Sequence, residues 1–176
     1  TLVGLAPGAI NSDAKRWPTD KYAELATRLA RKDHVEIILL GSNREKSIVE
    51  RVSSQAQAKT FNFTGQLSLG QAIAIIERLN GLICNDSGAM HIAAALRIPT
   101  VALFGPTEWN TTYPFSNLST IVRKDGIDCA PCMLRDCPID HRCMVRIGIE
   151  DVLQSFGKII RTGVKHDETR ESGMST

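Results

Sequence analysis

Short aliphatic runs recur along this chain, and each ends in a polar loop that leads toward a helical segment. Leu2–Ala6, Val35–Leu40, Gly81–Cys84 and Thr100–Leu103 are the clearest of them. Val35–Leu40 is aliphatic throughout, as expected of a strand covered on both faces of a sheet. Helical spacing fills the intervals. After Pro18, Tyr22, Leu25, Ala26 and Leu29 fall on one face of a helix capped near Thr19 or Asp20. Gly41-Ser42-Asn43 turns into a helix from about Arg44 to Ala58. A short strand around Phe61–Phe63 precedes Thr64-Gly65. Ser68 and Gln71 then form a capping box for a helix with Leu69, Ile73, Ile76 and Leu79 on a shared face. After Thr107 the pattern weakens until an amphipathic helix over about Glu150–Ile160. The alternation predicts an α/β fold, a doubly wound parallel sheet. Ligands of such sheets bind beyond the C-terminal strand ends. The loops after Ala6, Leu40, Phe63, Cys84 and Leu103 should therefore converge on one site.

With 176 residues, 43% of them hydrophobic, the chain can bury one core, expected over residues 1–163. The polar tail, 164–176, is expected to be disordered. The formal net charge of +2 is nearly balanced and the basic residues are scattered, which gives no case for a nucleic-acid partner. No apolar run reaches bilayer-spanning length, and no signal peptide is expected. The chain opens on Thr1-Leu2-Val3-Gly4-Leu5, inside an expected strand, so a missing N-terminal partner is anticipated. Of the five cysteines, Cys84 stands alone in an expected core strand, and Cys129, Cys132, Cys137 and Cys143 crowd one loop. That distribution, beside an ordinary aliphatic core, points to a reducing cytosol rather than a disulfide scaffold.

Asn85-Asp86-Ser87-Gly88-Ala89-Met90-His91 carries the strongest chemical signal. A strand running through a glycine-containing turn into a small-residue helix aims free backbone N–H groups at one point. Ser87 and His91 can add side-chain donors there. A phosphate is the ligand such a point attracts. A plain helix cap with a structural histidine would read the same way. The first loop, Pro7 to Pro18, offers Gly8 for close backbone approach and Lys15 as a compact cation. Its composition equally fits a solvated surface loop, in which Trp17-Pro18 packs the loop rather than a base. Glu45 suits either the first turn of its helix or the hydroxyls of a ribose. G-x-G-x-x-G and G-x-S-x-G are both absent. Gly65 and Gly70 have Walker A spacing, but Gln71 stands where lysine is required. No D-x-D pair occurs, so cations and backbone donors would have to meet any phosphate charge.

Four blocks in order then resemble one family. Pro7-Gly8-Ala9 through Lys15-Arg16-Trp17-Pro18, Leu39-Leu40-Gly41-Ser42, Asn85 through His91, and Ala102-Leu103-Phe104-Gly105-Pro106-Thr107 are similar to the signature blocks of the ADP-heptose:lipopolysaccharide heptosyltransferases. The resemblance covers roughly residues 1 to 160. It implies a Rossmann-like domain, the C-terminal, donor-binding half of a two-domain GT-B glycosyltransferase. It further implies inverting, metal-independent transfer of heptose from ADP-heptose to the lipopolysaccharide inner core. Carried over by motif, Lys15 serves catalysis at the donor diphosphate, with Ser87, Gly88 and His91 beside it. Gly8 and Ala9 form the phosphate-facing loop, Glu45 binds ribose, Leu67 packs on adenine, and Asp86 holds the turn. The acceptor and its catalytic carboxylate would belong to the N-terminal domain, so this chain alone is expected to bind donor weakly and transfer nothing. A cytoplasmic location follows, with at most peripheral association with the inner membrane. A GT-B transferase using another nucleotide sugar is the nearest alternative.

The cysteine loop stands apart from that resemblance. Cys129, Cys132, Cys137 and Cys143, spaced C-x2-C-x4-C-x5-C with His141 nearby, could hold a structural zinc. Free thiols, an iron–sulfur cluster and disulfides are the other readings. A metal-dependent binding module centred on this loop is the competing function.

Overall fold

The computed structural model describes residues 1–172, with side chains through residue 162. Six strands alternate with helices: β1 (Leu2–Ala6), α1 (Thr19–Ala30), β2 (Glu36–Leu39), α2 (Lys46–Gln55), β3 (Thr60–Asn62), α3 (Leu69–Glu77), β4 (Gly81–Asn85), α4 (Gly88–Ala95) and β5 (Thr100–Leu103). Then follow α5 (Trp109–Thr112), β6 (Ser119–Val122), α6 (Arg142–Val145) and α7 (Ile149–Ser172). The sheet runs β3-β2-β1-β4-β5-β6, and every pairing is parallel.

The unbroken aliphatic runs resolve into two alternating sets, because successive side chains of a strand point to opposite faces. Val3, Leu5, Ile37, Leu39, Ile83, Val101 and Leu103 join one core, which also takes Tyr22, Leu25 and Leu29 of α1, Val49 and Val52 of α2, and Val152, Phe156 and Ile159 of α7. Ala6, Ile38, Leu40, Leu82, Cys84, Ala102 and Phe104 join the other, with Ile76 of α3 and Met90 and Ala93 of α4. Both faces are therefore dry. At Gly81 a Cβ would lie 2.6 Å from the Phe156 ring, so α7 sits directly on β4.

Some expectations need correction. The helix anticipated over 44–58 opens as a 3-10 turn at Asn43–Glu45 and continues as α2. Leu69 does not share the buried face of α3. It is 69% exposed, being the first residue after the Ser68 cap, and it faces the site rather than the sheet. Strand β6 lies at the sheet edge with mostly half-exposed residues, and it was not anticipated. Helix α7 runs past Ile160. The tail expected over 164–176 lies beyond the described side chains, and its last four residues lie outside the described residues altogether. Among the described residues no helix is long and apolar enough to cross a membrane.

Candidate functional site

The strand order reverses between β1 and β4, so the loops that follow them part and leave a crevice at the C-terminal edge of the sheet. A cavity of about 830 Å³ occupies it. All five loops singled out from the sequence contribute to its lining, through Gly8 to Lys15, Gly41 to Glu45, Leu67 to Leu69, Asp86 to Gly88, and Thr107. Ala9 and His91 line it as well. Its size is that of a small-molecule site.

At one end the groups suit an anion. Lys15 ends a 3-10 turn, and its Nζ lies 2.8 Å from Asp86 Oδ2. Thr107 donates its hydroxyl to the same oxygen at 2.8 Å. Asp86 is thus a buried brace that fixes where the lysine charge stands. Ser87 occupies the N-cap of α4 in an extended conformation, but its side chain does not cap the helix. Its hydroxyl stays available, and the amides of the first turn have no intrahelical acceptor. At Gly88 even a Cβ would meet only open space. His91, one turn along, is exposed at the same mouth.

The residue that organises this end is Asn85, which the motif contains but to which sequence reasoning gave no role. It is fully buried at the end of β4. Its Nδ2 donates to the Pro7 carbonyl at 2.8 Å and the Gly8 carbonyl at 3.1 Å. Its Oδ1 accepts from the Trp17 amide and the Tyr22 hydroxyl, each at 3.1 Å. One amide therefore ties both ends of the first loop to the central strand. Burial pushes the Tyr22 phenol well above its ordinary range, with the Cys84 thiol acting the same way, so it stays a neutral donor. Burial, then the Asp86 charge, also lifts Cys84 far above a normal thiol, which leaves it inert. Trp17 packs beneath the loop, its ring edge-on to Tyr22 at 5.0 Å and its Nε1 donating to the Ile147 carbonyl at 3.1 Å.

Glu45 serves the start of its own helix and faces the cavity as well. Its Oε2 accepts from the Ser42 amide at 2.7 Å and the Ser42 hydroxyl at 2.8 Å, a capping box. Its Oε1 faces Gly8, where a Cβ would stand only 2.0 Å away. Gly8 is therefore required for the first loop to lie against Glu45. Beyond them the cavity turns apolar, with Leu40, Leu67, Leu69, Ala72, Ile76 and Ile92. That end suits a flat, largely apolar group, and the ionic end suits an anion.

The sequence profile described as "Glycosyltransferase family 9 (heptosyltransferase)" matches residues 1–142. The chain belongs to glycosyltransferase family 9. It is 39% identical over 126 residues to lipopolysaccharide heptosyltransferase 2 of Salmonella typhimurium, covering 69% of this chain and 36% of that protein. Lipooligosaccharide heptosyltransferase 2 of Campylobacter jejuni is 29% identical over 163 residues, covering 90% of this chain and 51% of the relative. Among solved structures, the ADP-heptose LPS heptosyltransferase II of E. coli superposes with a TM-score of 0.80 at 30% identity, over 92% of this chain and 46% of that one. The chain thus spans between about a third and a half of the relatives it matches.

In this family 9 chain the cysteine-rich loop is part of the cavity wall, through Met133, Leu134 and Arg135. The Ala14 amide donates to the Arg135 carbonyl at 2.9 Å, and the Ser12 hydroxyl donates to it at 3.1 Å. The Met133 amide donates to the Pro106 carbonyl at 2.8 Å, and His141 Nε2 lies 2.6 Å from the Ala14 carbonyl oxygen. Cys143, Met144 and Ile147 enter the core, packing so closely that a Cβ at Gly105 would lie 2.4 Å from Met144 Sδ. All four loop thiols are free. Burial raises the Cys143 thiol, and the charges of Cys129, Cys132 and Cys137 act in the same direction. Among the described residues no three Cys, His, Asp or Glu side chains are placed to hold a metal ion. Hydrogen bonds to Ser12, Ala14 and Pro106 and the core anchors tie the loop to the rest of the domain.

Proposed function

We propose that this chain is the donor-binding half of an inverting heptosyltransferase, one that moves heptose from ADP-heptose to the lipopolysaccharide inner core without a divalent metal. The observation that carries this reading is that Lys15, the start of α4, Glu45 and Leu67 all line one cavity. Diphosphate would lie against Lys15, the Ser87 hydroxyl and the Gly88 and Ala89 amides. Ribose would reach Glu45 Oε1, and adenine would sit on Leu67 and its apolar neighbours.

During transfer, negative charge develops on the departing diphosphate. Preorganised donors stabilise it without reorganising at the moment of reaction. Lys15 is held for that purpose by Asp86, which Thr107 holds in turn. The carboxylates at the cavity are engaged, Asp86 with Lys15 and Thr107, and Glu45 with Ser42. That donor set favours cationic and backbone neutralisation over a metal clamp. The base that deprotonates the acceptor, and the acceptor site itself, would come from the part of the relatives this chain does not span.

Calorimetry in the presence of EDTA tests the reading. ADP and ADP-sugars should bind, with UDP- and GDP-sugars weaker. Equal affinity for all three nucleotides would reject the ADP assignment, and uptake that requires added magnesium would reject the metal-free one.

A further inference from the structure

The fixed charges that line the cavity do not suffice for a diphosphate at the ionic end alone. Lys15 is matched by Asp86 at 2.8 Å, so that pair contributes little net charge. Glu45 is buried among uncharged partners and leaves the lining negative. A nucleoside diphosphate would bring further negative charge into this space. The other cation of the lining is Arg135, from the cysteine-rich loop. Its side chain is exposed and makes no ion pair or hydrogen bond among the described residues.

Its backbone, by contrast, is firmly placed. The Arg135 carbonyl takes hydrogen bonds from Ser12 and Ala14, and Ala14 directly precedes Lys15. His141, from the same cysteine-rich loop, fastens to the opposite side of Ala14 through its carbonyl. The two cations therefore ride on loops locked to each other. One is half-buried and neutralised by Asp86, and the other is exposed and unpaired among the described residues. A guanidinium presents a planar fork of donors that matches phosphate oxygens two at a time.

We infer that Arg135 is a donor-binding residue whose guanidinium closes on the diphosphate from the rim, and that the cysteine-rich loop serves to present it. The inference rests on the proposal that a nucleoside diphosphate occupies this cavity. It assigns the loop a role in substrate binding.

The test is calorimetry of ADP and AMP with the wild-type protein and with Arg135→Ala, Arg135→Lys and Lys15→Ala. Arg135→Ala should weaken ADP about tenfold, the scale of one charge-assisted contact, and AMP by less than about twofold. The salt dependence of ADP binding should become shallower, and Arg135→Lys should recover part of the affinity. Equal losses for ADP and AMP would mean a damaged wall rather than a lost phosphate contact, and would overturn the assignment. If Lys15→Ala weakens ADP and Arg135→Ala does not, the Arg135 assignment falls while the donor site stands. If the wild-type protein takes up no ADP, both fall.

Discussion

The two walls of the cavity place their charges by opposite means. On the wall formed by β1, β4 and the loops that follow them, side chains hold side chains and loops. Asn85 clamps Pro7, Gly8, Trp17 and Tyr22, and Asp86 clamps Lys15 and Thr107. On the wall formed by residues 133–135 the main chain does the holding, through the Met133 amide and the Arg135 carbonyl. Met133, Leu134 and Arg135 leave their side chains exposed. The first arrangement fixes both structure and chemistry in the same atoms, so its substitutions should damage both. The second separates them, so its side chains can change affinity while the fold stands.

The sharpest way to break this contrast is Asn85→Leu. It keeps similar bulk but removes four hydrogen bonds and strands the Pro7 and Gly8 carbonyls and the Trp17 amide in a buried site. The expected loss is about 3–5 kcal/mol of stability by denaturant titration. A loss under about 1 kcal/mol would show that the first loop is held by its packing instead. Next comes Gly8→Ala, whose Cβ cannot share space with the Glu45 carboxylate 2.0 Å away. About 1–3 kcal/mol should be lost, and ADP affinity should fall as the loop shifts. Truncating Glu45 to alanine as well should relieve the stability loss, since the two residues touch. Stability losses that simply add would refute the clash. Lys15→Ala is milder for the fold, because Thr107 still bonds Asp86. Stability should fall by about 1–2 kcal/mol, since the buried Asp86 keeps its Thr107 bond but loses its cation, while ADP binding weakens about ten- to hundredfold.

The same contrast governs how much could be read from the sequence. The strands β1, β2, β4 and β5 were legible because burial on both faces leaves a continuous aliphatic signature. All nine donor-site candidates reached the cavity because each sits in the loop after a strand of the sheet or in the helix after it. Strand β6 was not legible, since Ser119-Thr120-Ile121-Val122 lies half-exposed at an edge and carries neither a full run nor a clean alternation. Leu69 was misjudged because the helical period continues through a first turn that has not yet reached the sheet. Asn85 stood in the recognised motif, but an asparagine ending an apolar strand gives no hint that four partners from two other segments will meet it. The contact of the cysteine loop with the cavity was not legible for a related reason. Its ties to the first loop join groups more than a hundred residues apart in sequence, and the Ala14 amide and the Arg135 carbonyl among them leave no trace in residue identity.

The smallest effect tests the far end of the main-chain-anchored wall. Asp151, in the first turn of α7, accepts from the Gly148 amide at 2.8 Å and from Lys124 Nζ at 2.7 Å. It thereby joins the end of the cysteine-rich segment to the strand-edge segment after β6. The Lys124 hydrogen bond, then that from Gly148, hold its carboxyl below the usual range, against a weaker opposing effect of burial. A depressed pKa means that the folded state prefers the charged form. The stabilisation is therefore complete above the unfolded value, about 3.9, and disappears as pH falls through the lower folded value. Asp151→Asn should cost no more than about 1 kcal/mol at pH 7, because the ion pair is well exposed to solvent. The penalty should hold steady down to about pH 5 and shrink below about pH 4 as the wild-type carboxyl takes up its proton. A penalty that grows with acid would mean that Asp151 works through its neutral form. A penalty of several kcal/mol would mean that this wall, like the other, depends on a side chain for its fold.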